Sequence, residues 1–177
     1  DALPIWKQRT IRECEIISEV KSFGISTPLI YNMDTKNCTI VMQHIVGTLV
    51  NELSESKLIK SCLEIGKIVG TMHKNGIMHG DLTTSNFIVS NGRIFVLDFG
   101  LANKTIKPED HAVDLRLLKE ILNSAHAKIM EKAWSNFLKG YKKAVGASRF
   151  SKVSNLVKVI ESRGRYANVV WCFICVI

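Results

Sequence analysis

Two short apolar segments on either side of Asn91-Gly92 place the strongest constraint on how this chain can fold. Residues 87–90 and 93–97 are rich in β-branched and aromatic side chains. The Asn-Gly pair between them is a preferred two-residue connection of a β-hairpin. We therefore predict that the two segments pair. Pairing places the residues just before the first strand beside the residues just after the second.

These two ends carry polar side chains. Asp81 and Asn86 precede the first strand, and Asp98 follows the second. Phosphoryl transfer needs a carboxylate near the acceptor hydroxyl and oxygen ligands that hold Mg²⁺ against the phosphates. Taken singly, each residue is more simply interpreted as a turn residue between core strands. Together, HxDxxxxN from His79 and DFG from Asp98 form the compound signature of kinases, with Asp81 as the base and Asn86 and Asp98 as metal ligands.

The basic excess of the chain is confined to its C-terminal part. The net charge is +8, yet residues 1–127 carry 14 basic and 14 acidic side chains, and residues 128–165 carry 10 and 2. A one-sided basic surface attracts polyanions, but a solvated face has the same composition, so charge alone leaves both interpretations open. The five cysteines have no framework spacing, which predicts free thiols in a reducing compartment.

Apolar periodicity predicts an α+β chain whose second part is mainly helical. The 177 residues suit one domain, or one large lobe with part of a second, and a hydrophobic fraction of 46% is ordinary for a protein with a real core. Helices are predicted at residues 9–23, 55–74, 109–124, 127–145 and 150–161, and a second hairpin at residues 28–32 and 38–43.

The C-terminal residues 169–177 form an unbroken apolar run. Nine residues are too few to span a bilayer, which takes about 20 in a helix. Cys172 and Cys175 have CxxC spacing, but no second pair completes a zinc site. We interpret the run as a strand or tail that packs on the core or on a partner, with a metal or redox motif as the weaker alternative.

Several motifs together resemble the small atypical serine/threonine kinase subunit of the KEOPS (EKC) complex. They are HGDLTTSN from His79, LDFGLA from Leu97, RTIREC from Arg9, EDHAVDL from Glu109 and ESRGR from Glu161. The resemblance covers about residues 1–165 and implies a protein-kinase-like fold. It divides the chain into a partial N-lobe (residues 1–46), a mainly helical C-lobe (47–165) and an apolar tail of unknown role (166–177).

The resemblance also implies ATP and Mg²⁺ as cofactors and a role for each matching residue. Asp81 is expected to be the catalytic base, Asn86 and Asp98 the magnesium ligands, and Glu13 the partner of the phosphate-anchoring lysine. Without the family, Glu13 is better read as a solvated helix residue. The remaining nucleotide-binding residues are the gatekeeper Met42, which is also a plausible core residue, and the adenine-binding hinge Gln43, His44 and Ile45.

The chain also departs from ordinary kinases and from this family. The family's glycine-rich loop and lysine strand lie upstream of RTxxEA, so a truncated N-lobe is expected. Thr83 follows the family where ordinary kinases have lysine, and residues 100–110 leave no room for a long activation segment. His111 replaces the lysine of EDKAVDL, which predicts a weaker anion contact, or a pH-dependent one if the imidazole is accessible.

The implied function is a kinase/ATPase subunit of KEOPS that uses Mg-ATP to support threonylcarbamoyl-adenosine modification of tRNA. Expected partners are the threonylcarbamoyltransferase subunit, other complex members, and tRNA, held by the basic C-terminal region through Arg163 and Arg165. No membrane partner is expected, and the expected location is the cytoplasm, with the nucleus as a second compartment. Two alternatives remain. One is a pseudokinase scaffold, and the other is a small-molecule phosphotransferase of the aminoglycoside or choline kinase type, which also uses HGDxxxxN.

Overall fold

The computed structural model describes residues 5–171, with side chains from residue 6 to residue 163. The helices in this part are α1 (Ile5–Ser22), α2 (Glu55–Lys74), α3 (Pro108–Ala125), α4 (Met130–Val145) and α5 (Ala147–Trp171). The strands are β1 (Ile30–Asp34), β2 (Thr39–Met42), β3 (Thr48–Leu49), β4 (Ile77–Met78), β5 (Phe87–Ser90), β6 (Arg93–Val96) and β7 (Asn103–Lys104). The predicted CxxC pair lies outside the described residues.

The predicted hairpin around Asn91-Gly92 is confirmed. Strands β5 and β6 pair antiparallel, from Phe87 opposite Val96 to Ser90 opposite Arg93. Asn91 and Gly92 both have positive φ, at 48° and 75°, which is the backbone that a two-residue hairpin turn requires. Strand β3 adds to β5 to complete a three-stranded sheet.

The helix predictions are confirmed, with differences at the ends. Helix α2 has the predicted bounds, and α1 begins four residues earlier than expected. Helix α1 ends just before Gly24. The φ of Gly24 is 80°, a backbone conformation that glycine adopts at little energetic cost. Helix α5 runs ten residues beyond its predicted end, so residues 169–171 are helical rather than a strand. The prediction stopped where the apolar period stopped, but no proline interrupts the helix there.

The segment that follows α1 forms backbone contacts with the β5–β6 hairpin. The backbone N–H of Val96 donates to the carbonyl of Ser26 at 2.9 Å, and Ser26 forms a parallel bridge with Phe95. Strands β1 and β2 follow as an antiparallel pair with a bulge at Tyr31. Their bounds lie within two residues of the prediction. These contacts hold α1 and β1–β2 against the sheet that carries the polar loop ends.

Helices α2 and α4 pack with their backbones in contact. Gly66, Gly70 and Gly140 lie at the crossing, where no side chain would fit. A Cβ atom at Gly140 would overlap the carbonyl oxygen of Leu63, and one at Gly66 would overlap that of Phe137. The core spreads from this crossing. Its largest fully buried side chains include Tyr141, Phe87, Phe99, Phe137, Met72 and Leu115.

We expect Gly140→Ala to destabilise the protein by about 1–3 kcal/mol or more, because a methyl group forces the two helix backbones apart in a close-packed core. Urea unfolding of the wild type and the variant measures the difference. Ser135→Ala, on the exposed side of the same helix, is the control and should shift stability by less than about 0.5 kcal/mol. Equal stability of the two variants would contradict the close contact.

Candidate active site

The loop between β4 and β5 joins Asp81 directly to Asn86. The amide nitrogen Nδ2 of Asn86 donates to the Asp81 carbonyl oxygen at 2.8 Å and to Asp81 Oδ2 at 3.0 Å. The backbone N–H of Leu97 donates to the Asn86 carbonyl at 2.9 Å. Asp98 is the next residue. The hairpin therefore places all three predicted residues at one end of the sheet, as its geometry required.

Asp98 stands in a turn that also receives Glu13 from α1. Its φ is 55°, and its Oδ1 accepts a hydrogen bond from the backbone N–H of Gly100 at 3.2 Å. Burial, and then the charge of Asp98, raise the pKa of Glu13, while a hydrogen bond from the Phe99 backbone opposes that rise. Glu13 is thus partly buried beside Asp98 and is not a solvated helix residue. Two neighbouring carboxylates favour a cation between them.

The buried carboxylate of Asp114, on α3, holds the start of this loop. It accepts hydrogen bonds from the backbone N–H of His79 at 2.6 Å and of Gly80 at 2.8 Å, and it contacts His73 Nε2 at 3.2 Å. Burial raises the pKa of Asp114, but these donors outweigh burial, so its pKa lies below the usual value and the group is ionised. Sequence reasoning missed this role. The available signal was an aspartate on the buried face of a predicted helix.

His79 and Gly80 link the loop to the residues after the hairpin. His79 Nδ1 accepts from the Asp81 backbone N–H at 3.3 Å, so Nε2 carries the proton and donates to the Leu97 carbonyl at 3.1 Å. Gly80 has φ of 80°, and a Cβ atom there would overlap the carbonyl oxygen of Leu101. Both residues therefore set the backbone on which Asp81 is presented.

The predicted hinge lies at the end of β2, with its residues in different environments. Met42 is partly buried, His44 is exposed and Ile45 is buried. The backbone of Gln43 donates to the Leu29 carbonyl at 2.7 Å, and its side-chain Oε1 accepts from the Leu29 N–H at 3.3 Å. Within residues 5–171, the backbones of His44 and Ile45 make no hydrogen bond to another backbone group.

A cleft of about 480 Å³ lies between the hinge and the hairpin. Its walls are Gln43, His44, Ile45, Val46, Ser90, Asn91, Arg93 and Phe95. Asp81 and Asp98 are not among these residues. The structure therefore brings the hinge to the hairpin, and the three polar residues to each other, without joining both groups in one cavity.

The pH-dependent form of the expectation for His111 is wrong, because the imidazole is not accessible. The side chain is fully buried, with Nε2 at 3.1 Å from the Thr105 carbonyl and Nδ1 at 2.9 Å from Arg149 Nη2. Burial, followed by the neighbouring His73 and Arg149, lowers the pKa of His111 to about 3. A neutral, enclosed imidazole contacts no solvent anion and does not titrate in the neutral range.

Most of the basic excess lies at exposed positions just before α4, on α4 and on α5, whereas Arg149 is partly buried. Arg163 is exposed near the end of the described side chains, and the side chain of Arg165 lies beyond them. Other exposed basic residues are Lys128, Lys132, Lys139, Lys142, Lys143, Lys152 and Lys158. Among the described residues, no helix is long and apolar enough to cross a membrane, and no cluster of three or more His, Cys, Asp or Glu side chains forms a metal site.

Comparison with known proteins agrees with this geometry. The protein kinase domain family matches residues 3–126. Two solved structures share the fold. One is WaaP in complex with acyl carrier protein (TM-score 0.66, 15% identity, 88% of this chain and 75% of that chain). The other is the Rio2 kinase–ADP/Mg²⁺–phosphoaspartate complex from Chaetomium thermophilum (TM-score 0.55, 13% identity, 90% and 56%). The fold and the matched family together define a protein-kinase-like enzyme of the kinase/ATPase type. This fold implies ATP binding.

Curated relatives narrow the class. The chain is 40% identical over 173 residues to the KEOPS complex subunit Bud32 of Pyrococcus abyssi, covering 96% of this chain and 79% of the relative. It is also 40% identical over 162 residues to a probable bifunctional tRNA threonylcarbamoyladenosine biosynthesis protein of Methanocaldococcus jannaschii, covering 92% of this chain and 30% of the relative. The chain belongs to the family of the KEOPS complex subunit Bud32, as the sequence motifs indicated.

The buried histidines predict a loss of stability in mild acid. Burial lowers the pKa of His73, His79 and His111 in the folded protein. Below an unfolded pKa of about 6.5, the unfolded chain therefore binds protons that the folded chain does not. The free energy of unfolding should fall as the pH drops from 7 to 5. Each histidine contributes up to about 1.4 kcal/mol per pH unit.

Urea unfolding at several pH values measures this slope. His111→Gln should make it shallower, because one of the three groups no longer titrates. Ser135→Ala, which removes no titratable group, is the control and should leave the slope unchanged. An identical slope in wild type and His111→Gln would contradict the assignment.

Proposed function

We propose that this chain is the ATP-using kinase/ATPase subunit of a KEOPS complex, which supports threonylcarbamoyl-adenosine modification of tRNA. The observation that carries the proposal is the junction of Asp81, Asn86 and Asp98 at one end of the β5–β6 hairpin. It occurs in a chain 40% identical to a KEOPS subunit. The bifunctional relatives are matched over only 28–30% of their length. Their full activity is therefore attributed to this chain only as part of the proposal.

Asp81 is assigned as the base that orients and deprotonates the attacking hydroxyl or water. Asn86 and Asp98 are assigned as ligands of Mg²⁺. Their donor set fits this ion, because both Nδ2 hydrogen bonds of Asn86 go to Asp81, Oδ1 accepts no hydrogen bond within residues 6–163, and Asp98 supplies a carboxylate. When bound, the metal ion neutralises the phosphate charge. The protein side chains hold the nucleophile and the metal ligands in one constellation.

The adenine ring of the nucleotide is assigned to the hinge, and its phosphates are assigned to the end of the hairpin that carries Asn86 and Asp98. The backbone groups of His44 and Ile45, which make no backbone hydrogen bond within residues 5–171, suit the edge of adenine, with Gln43 and Met42 closing the end of β2. Glu13 is assigned to the ion pair with the phosphate-anchoring lysine, which its place beside Asp98 supports. In this scheme residues 1–46 belong to the N-lobe and residues 47–165 to the C-lobe.

The acceptor is assigned mainly to water rather than to a docked peptide. Only the residues between Asp98 and Pro108 separate the site from α3, and β7 within them is paired with β4. This segment offers little surface for a peptide, although the same groups suit transfer to serine or threonine. The described cysteines Cys14, Cys38 and Cys62 are free thiols, which suits the reducing cytoplasm or nucleus.

We expect Asp81→Asn and Asp98→Ala each to lower the kcat for ATP hydrolysis by about 100-fold or more, because one removes the base and the other a metal ligand. The assay uses the full-length protein with its threonylcarbamoyltransferase partner. Asp81→Asn should retain magnesium-dependent ATP binding, whereas Asp98→Ala should weaken it. Glu131→Gln, at an exposed position on α4, is the carboxylate control.

Unchanged turnover in both variants would refute the catalytic assignment. Tight nucleotide binding without turnover in the wild type would support the scaffold alternative instead. Phosphorylation of an amino sugar or choline would support the small-molecule phosphotransferase.

For tRNA, we expect Arg163→Glu and Arg165→Glu to weaken binding and to make its salt dependence shallower. Each phosphate contact contributes about 0.9 to the slope of log K against log salt, so the loss of one contact lowers the slope by about one. Filter binding at several salt concentrations measures it. Lys36→Glu, in the exposed turn between β1 and β2, is the control for net charge. An equal effect of Lys36→Glu would reduce the arginines to a general charge effect.

A further inference from the structure

The cationic side chain of Arg149, on helix α5, packs behind the catalytic loop. Its Nη2 donates to the carbonyl of Ile106 at 3.0 Å and to Nδ1 of His111 at 2.9 Å. A guanidinium only donates, so Nδ1 of His111 is the acceptor and Nε2 carries the proton. That proton is donated to the carbonyl of Thr105 at 3.1 Å. One side chain thus sets the tautomer of His111 and holds residues 105–106.

His111 in turn packs against His73. The two rings are stacked, with centroids 4.0 Å apart and planes 12° from parallel. The ionised carboxylate of Asp114 only accepts, so the His73 proton is on Nε2, which donates to Asp114, and Nδ1 accepts from the hydroxyl of Tyr141 at 3.0 Å. Asp114 in turn accepts the backbone N–H groups of the loop. The contacts form a continuous line from α5 to the residues beside Asp81.

A second set of contacts also links Arg149 to the catalytic loop. The backbone N–H of Thr105 donates to the carbonyl of Gly76 at 2.8 Å, and its hydroxyl donates to Asp110 at 2.6 Å. Strand β7, just before Thr105, pairs with β4, with Asn103 opposite Met78. His79 directly follows Met78. The segment that Arg149 holds therefore flanks the strand from which the catalytic loop starts.

A simpler reading is that Arg149 is one more basic residue near the start of α5. Its neighbour Lys152 and the later Lys158 are exposed, and within residues 6–163 neither has a side-chain hydrogen bond or ion pair. Arg149 differs because both of its acceptors belong to the wall behind the catalytic loop. Within those residues, no other donor contacts the Ile106 carbonyl or His111 Nδ1. Its loss leaves the buried Nδ1 of His111 without a partner, which costs more than losing an exposed contact such as that to the Ile106 carbonyl.

We propose that Arg149 is a positioning residue of the catalytic loop. It acts through His111 and residues 105–106 on the backbone N–H groups of His79 and Gly80, and so on the presentation of Asp81. Only the kinetic consequence rests on the proposed function. The structural consequence is measurable without nucleotide.

The test compares Arg149→Met, Arg149→Lys and the matched control Lys152→Met in the full-length protein. Amide hydrogen exchange, followed by NMR, should accelerate about tenfold or more at His79 and Gly80 in Arg149→Met. Exchange at Val69, in the buried part of α2, serves as the internal reference and should change by less than about twofold. The ¹⁵N shifts of the His111 ring should report loss of the single tautomer. Arg149→Lys should restore part of the protection, and Lys152→Met should match the wild type.

In the same variants we expect kcat for ATP hydrolysis to fall about tenfold in Arg149→Met, with KM for ATP within about twofold, because misplacing a catalytic group costs turnover rather than binding. Unchanged exchange at His79 and Gly80 would overturn the proposal, and so would equal acceleration at Val69, which indicates general loosening. A faster exchange with unchanged kcat would also overturn it. If the wild type hydrolyses no ATP, the proposed function fails, and the exchange data alone decide the role of Arg149.

Discussion

The carboxylate of Asp114 is the interaction on which the rest of the site depends. It is buried on α3 and takes three donors, two of them backbone N–H groups of the loop that carries Asp81. A buried charge is tolerated only when it is fully hydrogen-bonded, so the loop and the helix must adopt one relative position. Moving either element would leave an ionised group without partners. The helical core thereby fixes the geometry of a loop that has little regular structure of its own.

The two ends of the site depend on different parts of the chain. Asp81 and Asn86 are held from the helical side, through Asp114 and the hairpin. Glu13 and the hinge arrive from α1 and β2, which the Ser26–Val96 contact ties to the same hairpin. The β5–β6 hairpin is therefore the common support. The first set of contacts holds Asp81 and Asn86 in place, while the positions of Glu13 and the predicted hinge depend on the second.

Much of the fold and of the candidate site could be predicted from local sequence patterns. The Asn91-Gly92 turn and the period of α2 appear in the structure with their predicted bounds, because short-range backbone preferences and one buried stripe decide them. The end of α5 was missed, since helix propensity can continue where the apolar period does not. His111 was misjudged because burial is a tertiary property. A histidine inside a helix motif looks the same in sequence whether water or Arg149 faces it.

The sequence by itself determined the family and the hairpin and indicated the candidate site residues, because each lies in a contiguous motif with a fixed spacing. Only the tertiary structure decided what orients them. The partners of Asp114 are 34 to 41 residues away in the chain, and Arg149 lies 38 residues from His111. No local pattern encodes such pairs. They form when α3, α5 and the loop that carries Asp81 pack around a common core, where each buried polar group must find a partner.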